Sequence, residues 1–207
     1  MQEVLFELDR LTESKAIIST DVGQHQMWAA QFCKTTSNLD WLSSGGAGTM
    51  GFGFPAAIGA QLGRKDDIVV AVCGDGGFQM TQAELATACI HKLPIKILVL
   101  NNSYLGMVRQ WQELFFDDRL SGVDLIGNPD FVKLAEAFGA KGLKMEKEED
   151  IIPVWEEALA YNDGPVLIEA VCAKTHNVYP MIPAGASYDS MLLEAPQEKL
   201  AKPTGST

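Results

Sequence analysis

Two residues stand out for the chemistry that their types and spacing allow: Asp75, in Gly74-Asp75-Gly76-Gly77, and Asn102, which closes Asn101-Asn102 27 positions later. A carboxylate and an amide carbonyl are hard oxygen donors. Together they suit Mg2+, which prefers oxygen ligands and commonly completes its shell with phosphate and water. Phosphate binding by basic side chains is not indicated, since GxxxxGK[ST] is absent and the 74–77 turn holds neither Lys nor Arg. An anion bound at this turn therefore needs a divalent cation and backbone N–H groups to offset its charge.

For Asp75 and Asn102 to meet, the intervening chain must return to the same edge of a sheet. Residues 68–73 are an almost unbroken apolar run rich in Val, the pattern of a strand buried on both faces of a parallel sheet. The glycines after it let the backbone turn sharply and approach a ligand. From Thr81 or Gln82, apolar residues at Ala83, Leu85, Ala86, Ala88, Cys89 and Ile90 predict a largely buried helix, which Pro94 ends. Residues 95–100 are a second buried strand. In such a β-α-β unit a right-handed crossover makes the strands parallel and brings both strand ends to the carboxyl edge, where open α/β sheets bind ligands.

The rest of the pattern agrees with this frame. Strands are expected at 16–19, 141–145 and 166–171, and helices at 1–11, from about Gln24, and at 54–62, 107–116, 129–138 and 148–161. Asn128 is a plausible N-cap for the 129–138 helix. In the 107–116 helix, Met107, Val108, Trp111, Leu114 and Phe115 form an apolar face. In the 148–161 helix, Ile151, Ile152, Trp155 and Leu159 should point inward. Residues 117–128, with mixed charge and glycines, predict a mobile connection. The whole predicts an α/β fold, an open, mainly parallel sheet of about six strands with helices on both faces.

Several other candidates admit two readings. Gly46-Ala47-Gly48-Thr49-Met50-Gly51 contains GxGxxG, a dinucleotide fingerprint. That reading needs an apolar strand before it and an acidic residue about twenty positions on. Residues 38–44 make a poor buried strand, and Asp66 and Asp67 come early, in a polar turn. Gln24 and His25 stand where a strand gives way to a helix, a place where N–H groups and polar side chains meet anions. A histidine there also serves simply as a hydrogen bonder. Glu84 resembles a catalytic carboxylate but belongs to a helix running away from the strand edge. Met50 reads equally well as core filling, and Trp111 as helix packing.

Composition bounds the function classes. The 207 residues fit one large domain, and 16 Lys and Arg against 27 Asp and Glu give a net charge of −11. That charge argues against nucleic-acid and membrane-surface partners. Cys33, Cys73, Cys89 and Cys172 lack CxxC spacing and are expected to be reduced core residues. The opening MQEVLFELDR has no basic n-region and no apolar run nears membrane-spanning length, so a cytoplasmic location is expected.

The segments GQHQMWAAQF, SGGAGTMGFGFPAAIGAQ, GDGGFQMTQAEL, KILVLNN, GMVRQWQELF and NPDFVKLAEAFG are together highly specific. From about Ile17 to Gly185 the chain resembles the thiamine-diphosphate enzymes, and among them the C-terminal cofactor-binding domain of acetolactate (acetohydroxyacid) synthase catalytic subunits. The resemblance implies a cofactor site made by Gln24, His25, Gly48, Met50, Gly74, Asp75, Gly76, Gly77, Asn102, Tyr104, Leu105, Gly106 and Met107. It implies Mg2+ ligation by Asp75, Asn102 and the main-chain carbonyl of Tyr104. Met50 becomes a wedge beneath the bent cofactor, and Met107 and Trp111 shape the pocket for the second 2-oxo acid.

The implied reaction decarboxylates pyruvate and joins the remaining unit to pyruvate or 2-oxobutanoate, in branched-chain amino acid biosynthesis. Substrate identity within the group would rest mainly on Met107, Arg109 and Trp111. The glutamate that activates the cofactor lies in an N-terminal domain without a counterpart here, so the resemblance implies a fragment inactive alone, with no catalytic residue of its own. Its expected partners are the 2-oxo acids, its own N-terminal domains, a homodimer or tetramer mate and a small regulatory subunit. FAD is possible in the full-length enzyme but is not expected on this domain alone. Another thiamine-diphosphate carboligase, a pyruvate oxidase or a non-catalytic diphosphate-binding module would use the same anchor. The domain is expected to span residues 1–185, with 186–207 as a tail; from Ala173 onward the pattern changes to Pro180, Pro183, Gly185, Pro196 and Pro203, with little periodicity.

Overall fold

The computed structural model describes residues 1–195. Pro196, Pro203 and the rest of the expected tail beyond 195 lie outside the described residues. The described residues divide into two compact units, Met1–Thr175 and a second that begins at His176. In the second unit, Met181 and Leu192 pair in an antiparallel bridge, and a 3₁₀ turn spans Tyr188–Ser190.

The first unit is a parallel sheet of six strands: β1 (Ile17–Thr20), β2 (Trp41–Ser43), β3 (Val69–Gly74), β4 (Lys96–Asn101), β5 (Lys141–Met145) and β6 (Val166–Val171). Their order is β2-β1-β3-β4-β6-β5. The helices are α1 (Gln2–Leu11), α2 (Gln24–Phe32), α3 (Gly53–Gly63), α4 (Asp75–Thr81), α5 (Leu85–Ile90), α6 (Gly106–Phe115), α7 (Phe131–Phe138) and α8 (Ile151–Ala160). Because side chains alternate along a strand, the sheet feeds two cores. Ile17, Val69, Ala71, Cys73, Ile97, Val99 and Leu167 pack with Phe54, Phe78, Leu85 and Phe131 of α3, α4, α5 and α7. Rings of Phe54, Phe78 and Phe131 stack in series at 5.7 and 5.9 Å. On the other face α1 packs against α2 and α8, and Trp155 Nε1 donates to Val4 O at 3.1 Å. All four cysteines are free thiols. Among the described residues no helix is long and apolar enough to cross a membrane.

Residues 41–43 form a strand, β2, that pairs only with β1 and stays half-buried, in keeping with a stretch that makes a poor buried strand. Three local expectations differ from the structure. The helix expected from Thr81 or Gln82 begins at Asp75 itself, breaks into a 3₁₀ turn at Gln82–Glu84 and resumes as α5. Asp130 rather than Asn128 caps α7, its Oδ1 accepting the Lys133 N–H at 3.0 Å. In α8, Ile151 and Trp155 point inward, but Ile152 is exposed.

Candidate functional site

The strand order reverses between β1 and β3, and at such a switch point the loops after neighbouring strands diverge and leave a crevice at the carboxyl edge. Here that edge carries a cleft of about 270 Å³. Gly74 pairs with Leu100 across β3 and β4, so the residues that follow, Asp75 and Asn102, emerge side by side. Both are buried and both line the cleft. Gln24 and His25 enter from the start of α2, Gly48 and Met50 from the glycine loop, and Tyr104, Leu105, Gly106 and Met107 from the turn into α6. Gly74, Gly76 and Gly77 complete the lining, so all thirteen residues singled out for the cofactor surround one space.

Alternation along β4 explains why two asparagines stand together. Asn102 faces the cleft, where its Nδ2 donates to Gln24 Oε1 at 3.3 Å and its Oδ1 accepts the Tyr104 N–H at 3.1 Å. Asn101 turns aside and donates to Glu169 Oε1 at 2.7 Å. Gln24 in turn donates to Gln110 Oε1 at 2.8 Å. The Asn102 carbonyl oxygen thus has its orientation set by a main-chain donor and keeps a second lone pair. Among the described residues no group of three or more His, Cys, Asp or Glu gathers as a metal cage. A cation here would rely on one carboxylate with amide and main-chain oxygens.

Burial decides the electrostatics. It pushes the Asp75 carboxyl up to about 6, against the lowering effect of the Asn128 amide and of backbone N–H groups at Asp75, Gly76 and Ser103. An ionised carboxylate there carries a desolvation penalty that a bound dication would offset. Burial also lowers His25 to about 4, although nearby Asp21 pulls the other way. The imidazole is therefore neutral at pH 7, and its Nε2 is buried with no hydrogen-bond partner. Gly74 makes room for it: a Cβ there would lie 2.8 Å from His25 Cε1 and Nδ1.

Three contributors escaped the sequence reading. Asp21, wholly buried at the end of β1, accepts N–H groups from Val22 at 2.8 Å, Gly51 at 3.0 Å and Gly53 at 3.0 Å. It thereby fixes the loop that carries Gly48 and Met50. A Cβ at Gly77 would collide with the Asp21 carboxylate, so glycine lets α4 start against it. The available signal was positional, since Asp21 follows β1 as Asp75 follows β3. Gln110 holds Gln24, and Asn128 donates to Asp75 Oδ2 at 2.7 Å. Nothing in the sequence distinguishes either from an ordinary polar helix or turn residue.

The substrate-pocket pair separates: Met107 lines the cleft, whereas Trp111 is not among its lining residues and stacks edge-on against Phe115 at 5.4 Å. Arg109 is buried, paired with Glu113 at 2.5 Å and set over the Tyr104 ring at 5.8 Å. Glu84 is exposed and accepts from Thr87 Oγ1, away from the cleft. The 117–128 connection is tied down at its far end, where Leu105 N donates to Val123 O at 2.8 Å and Leu125 N to Ser103 O at 2.9 Å.

Fold and site together define a parallel α/β domain whose ligand cleft lies at the carboxyl edge of its sheet. The chain belongs to the family described as thiamine pyrophosphate enzyme, C-terminal TPP binding domain, which matches residues 21–170. It is 49% identical over 192 residues to the acetolactate synthase of Mycobacterium leprae (strain TN), covering 91% of this chain and 31% of that protein. With the mitochondrial acetolactate synthase of Schizosaccharomyces pombe it shares 48% identity over 195 residues, 93% of this chain and 29% of that one. The acetolactate synthase isozyme 2 large subunit of Escherichia coli (strain K12) is 45% identical over 189 residues, 91% and 34% respectively. The chain thus spans about a third of the length of these relatives.

Proposed function

We propose that this chain is the diphosphate-anchoring domain of a thiamine-diphosphate-dependent acetolactate synthase that joins two 2-oxo acids with loss of CO2. The carrying observation is the meeting of Asp75 and Asn102 in one cleft also lined by His25, a neutral imidazole whose buried Nε2 has no hydrogen-bond partner. The donor chemistry fits a Mg2+-diphosphate. Asp75, the Asn102 carbonyl oxygen and the Tyr104 main-chain carbonyl would hold the cation, while Gln24 offers a polar contact to the anion and His25 Nε2 would donate to it once the anion draws a proton onto the ring. The bound cofactor would supply a thiazolium carbon able to stabilise the negative charge left by decarboxylation. This chain's residues would bind and orient it: Met50 would back the cofactor from the cleft wall, Asp21 holds the loop that carries Met50, and Gln110 and Gln24 fix Asn102.

A cleft of about 270 Å³ is slightly below the roughly 300–1,000 Å³ of complete ligand sites. It accords with one wall of a site that N-terminal domains and a subunit mate would complete in a cytoplasmic oligomer. Trp111, off the cleft, would join the acceptor pocket with Met107 in that assembly, and FAD would be carried outside this domain. Asp75→Ala in the full polypeptide should abolish Mg2+-dependent thiamine diphosphate binding. Calorimetric affinity equal to wild type would refute the assignment.

A further inference from the structure

We infer that Asn128 is a positioning residue for the metal-ligand pair, a side chain from the 117–128 connection that orients Asp75 and clamps the Asn101-Asn102 strand end beside it. The inference rests on the reading of Asp75 and Asn102 given above. It starts from a closed set of hydrogen bonds in which each amide orientation is forced. Gln79 Nε2 lies 3.1 Å from the Asp75 main-chain carbonyl, which can only accept, so the Gln79 amino group faces that point. The same amino group reaches Asn128 at 2.8 Å, which must therefore present its oxygen. Its nitrogen is left facing Asp75 Oδ2 at 2.7 Å and Asn101 Oδ1 at 3.1 Å. From the other end, Asn101 Oδ1 accepts the Ser103 N–H at 3.0 Å, a donor-only group, so Asn101 is fixed independently and in agreement. Flipping Asn128 would set oxygen against carboxylate and against the Asn101 carbonyl.

One amide thus bridges the ends of β3 and β4, the two strands that present the ligands. Asn101 is further held by Glu169 of β6 at 2.7 Å, which extends the clamp to a third strand. Asn128 is free to act this way because the helix-capping task belongs to Asp130. Its own backbone is anchored, with Asn128 N donating to Leu125 O at 3.1 Å and Leu125 N to Ser103 O at 2.9 Å. Leu125 also packs where a Cβ on Gly76 would stand, 3.2 Å from its Cδ1. The connection, although rich in glycine and charge, therefore backs the site: none of its residues lines the cleft, but Asn128 and Leu125 hold Asp75 and Gly76, which do. A hydrogen bond to one carboxylate oxygen leaves the other available to a cation and restricts rotation of the group. Partners that orient metal ligands in this way are worth roughly 10–100-fold in metal affinity.

The test compares Asn128→Ala, the isosteric Asn128→Asp and Asp75→Ala in the full polypeptide. Half-saturating Mg2+ is read by calorimetry at fixed thiamine diphosphate, and Mn2+ paramagnetic resonance reads the ligand field directly. Asn128→Ala should raise half-saturation about ten-fold or more and broaden the Mn2+ lines. Asn128→Asp, which sets a second carboxylate against Asp75, should raise it further. A role in folding alone would lower the melting temperature and leave half-saturation and the Mn2+ spectrum at wild-type values, and that result overturns the inference. Should both Asn128 variants fail to fold, Gln79→Leu, which frees Asn128 to rotate, must raise half-saturation in the same direction, and no change overturns the inference. Parallel loss of binding in Asp75→Ala with wild-type behaviour in Asn128→Ala would sink the clamp alone. Retained Mg2+ dependence in Asp75→Ala would sink the site assignment beneath it.

Discussion

Helices α6 and α7 are both amphipathic, yet they bury opposite kinds of residue. In α7, Phe131 and Ala135 are sealed in the core with Phe78 and Leu167. In α6 the buried residues are Arg109 and Gln110, while Val108 is 46% and Phe115 37% exposed, with Phe116 just beyond the helix at 51%. The physical difference lies in what each helix meets. The sheet offers α7 apolar partners contributed by this chain. The rim of the cleft offers α6 the amide of Gln24, so α6 spends its inward face on hydrogen bonds that brace Asn102. An apolar stripe announces that a helix has a face to cover, and says nothing about which neighbour covers it.

Substitutions that strike the two sides separately can break this contrast. Phe131→Ala removes a fully buried ring from the stack with Phe78 and should cost about 3–5 kcal/mol of unfolding free energy in urea. It should leave Mg2+ half-saturation unchanged, and a loss below about 1 kcal/mol would mean that α7 is no better covered than α6.

The cleft side should announce itself through pH. His25 titrates near 4 in the fold against 6.5 for a free imidazole, so the unfolded chain binds more protons between those values. Stability from this group is complete above 6.5 and drains away as pH falls toward 4, by up to roughly 3 kcal/mol. Asp75 runs the other way, because its folded value of about 6 exceeds its ordinary 3.8 and stability declines as pH rises through that interval. His25→Asn therefore isolates the two: urea midpoints of the variant should lose the acid-side decline, and an unaltered pH profile would remove His25 from the account.

The smallest effect is expected where α6 ends. Phe116→Ser should shift stability by no more than about 1 kcal/mol, since half of that ring already meets solvent. A loss approaching that of Phe131→Ala would erase the distinction between the helices.

Much of this was legible without coordinates because it depends on local order. The apolar runs of β3, β4 and β6 carry strand patterns that any buried parallel strand must carry. Crossover handedness then puts Asp75 and Asn102 on one edge. The glycine-rich turn is different: it was legible as a ligand approach but not as the first turn of α4, because glycine favours loops until a neighbour such as Asp21 demands the space. β2 was hidden because an edge strand paired on one side needs no apolar run.

What the amino-acid order determined by itself was the parallel α/β frame and the pairing of a carboxylate with an amide at adjoining strand ends; the set of thirteen residues that line one cleft came through the family resemblance of its motifs. Only the tertiary structure decided which polar groups brace that pair. Asp21, Gln110 and Asn128 lie 56, 86 and 53 positions from the residues they meet, Gly77, Gln24 and Asp75. Hydrogen bonds between side chains depend on distance and direction in space, and no periodicity along the chain records those until the strands and helices have packed.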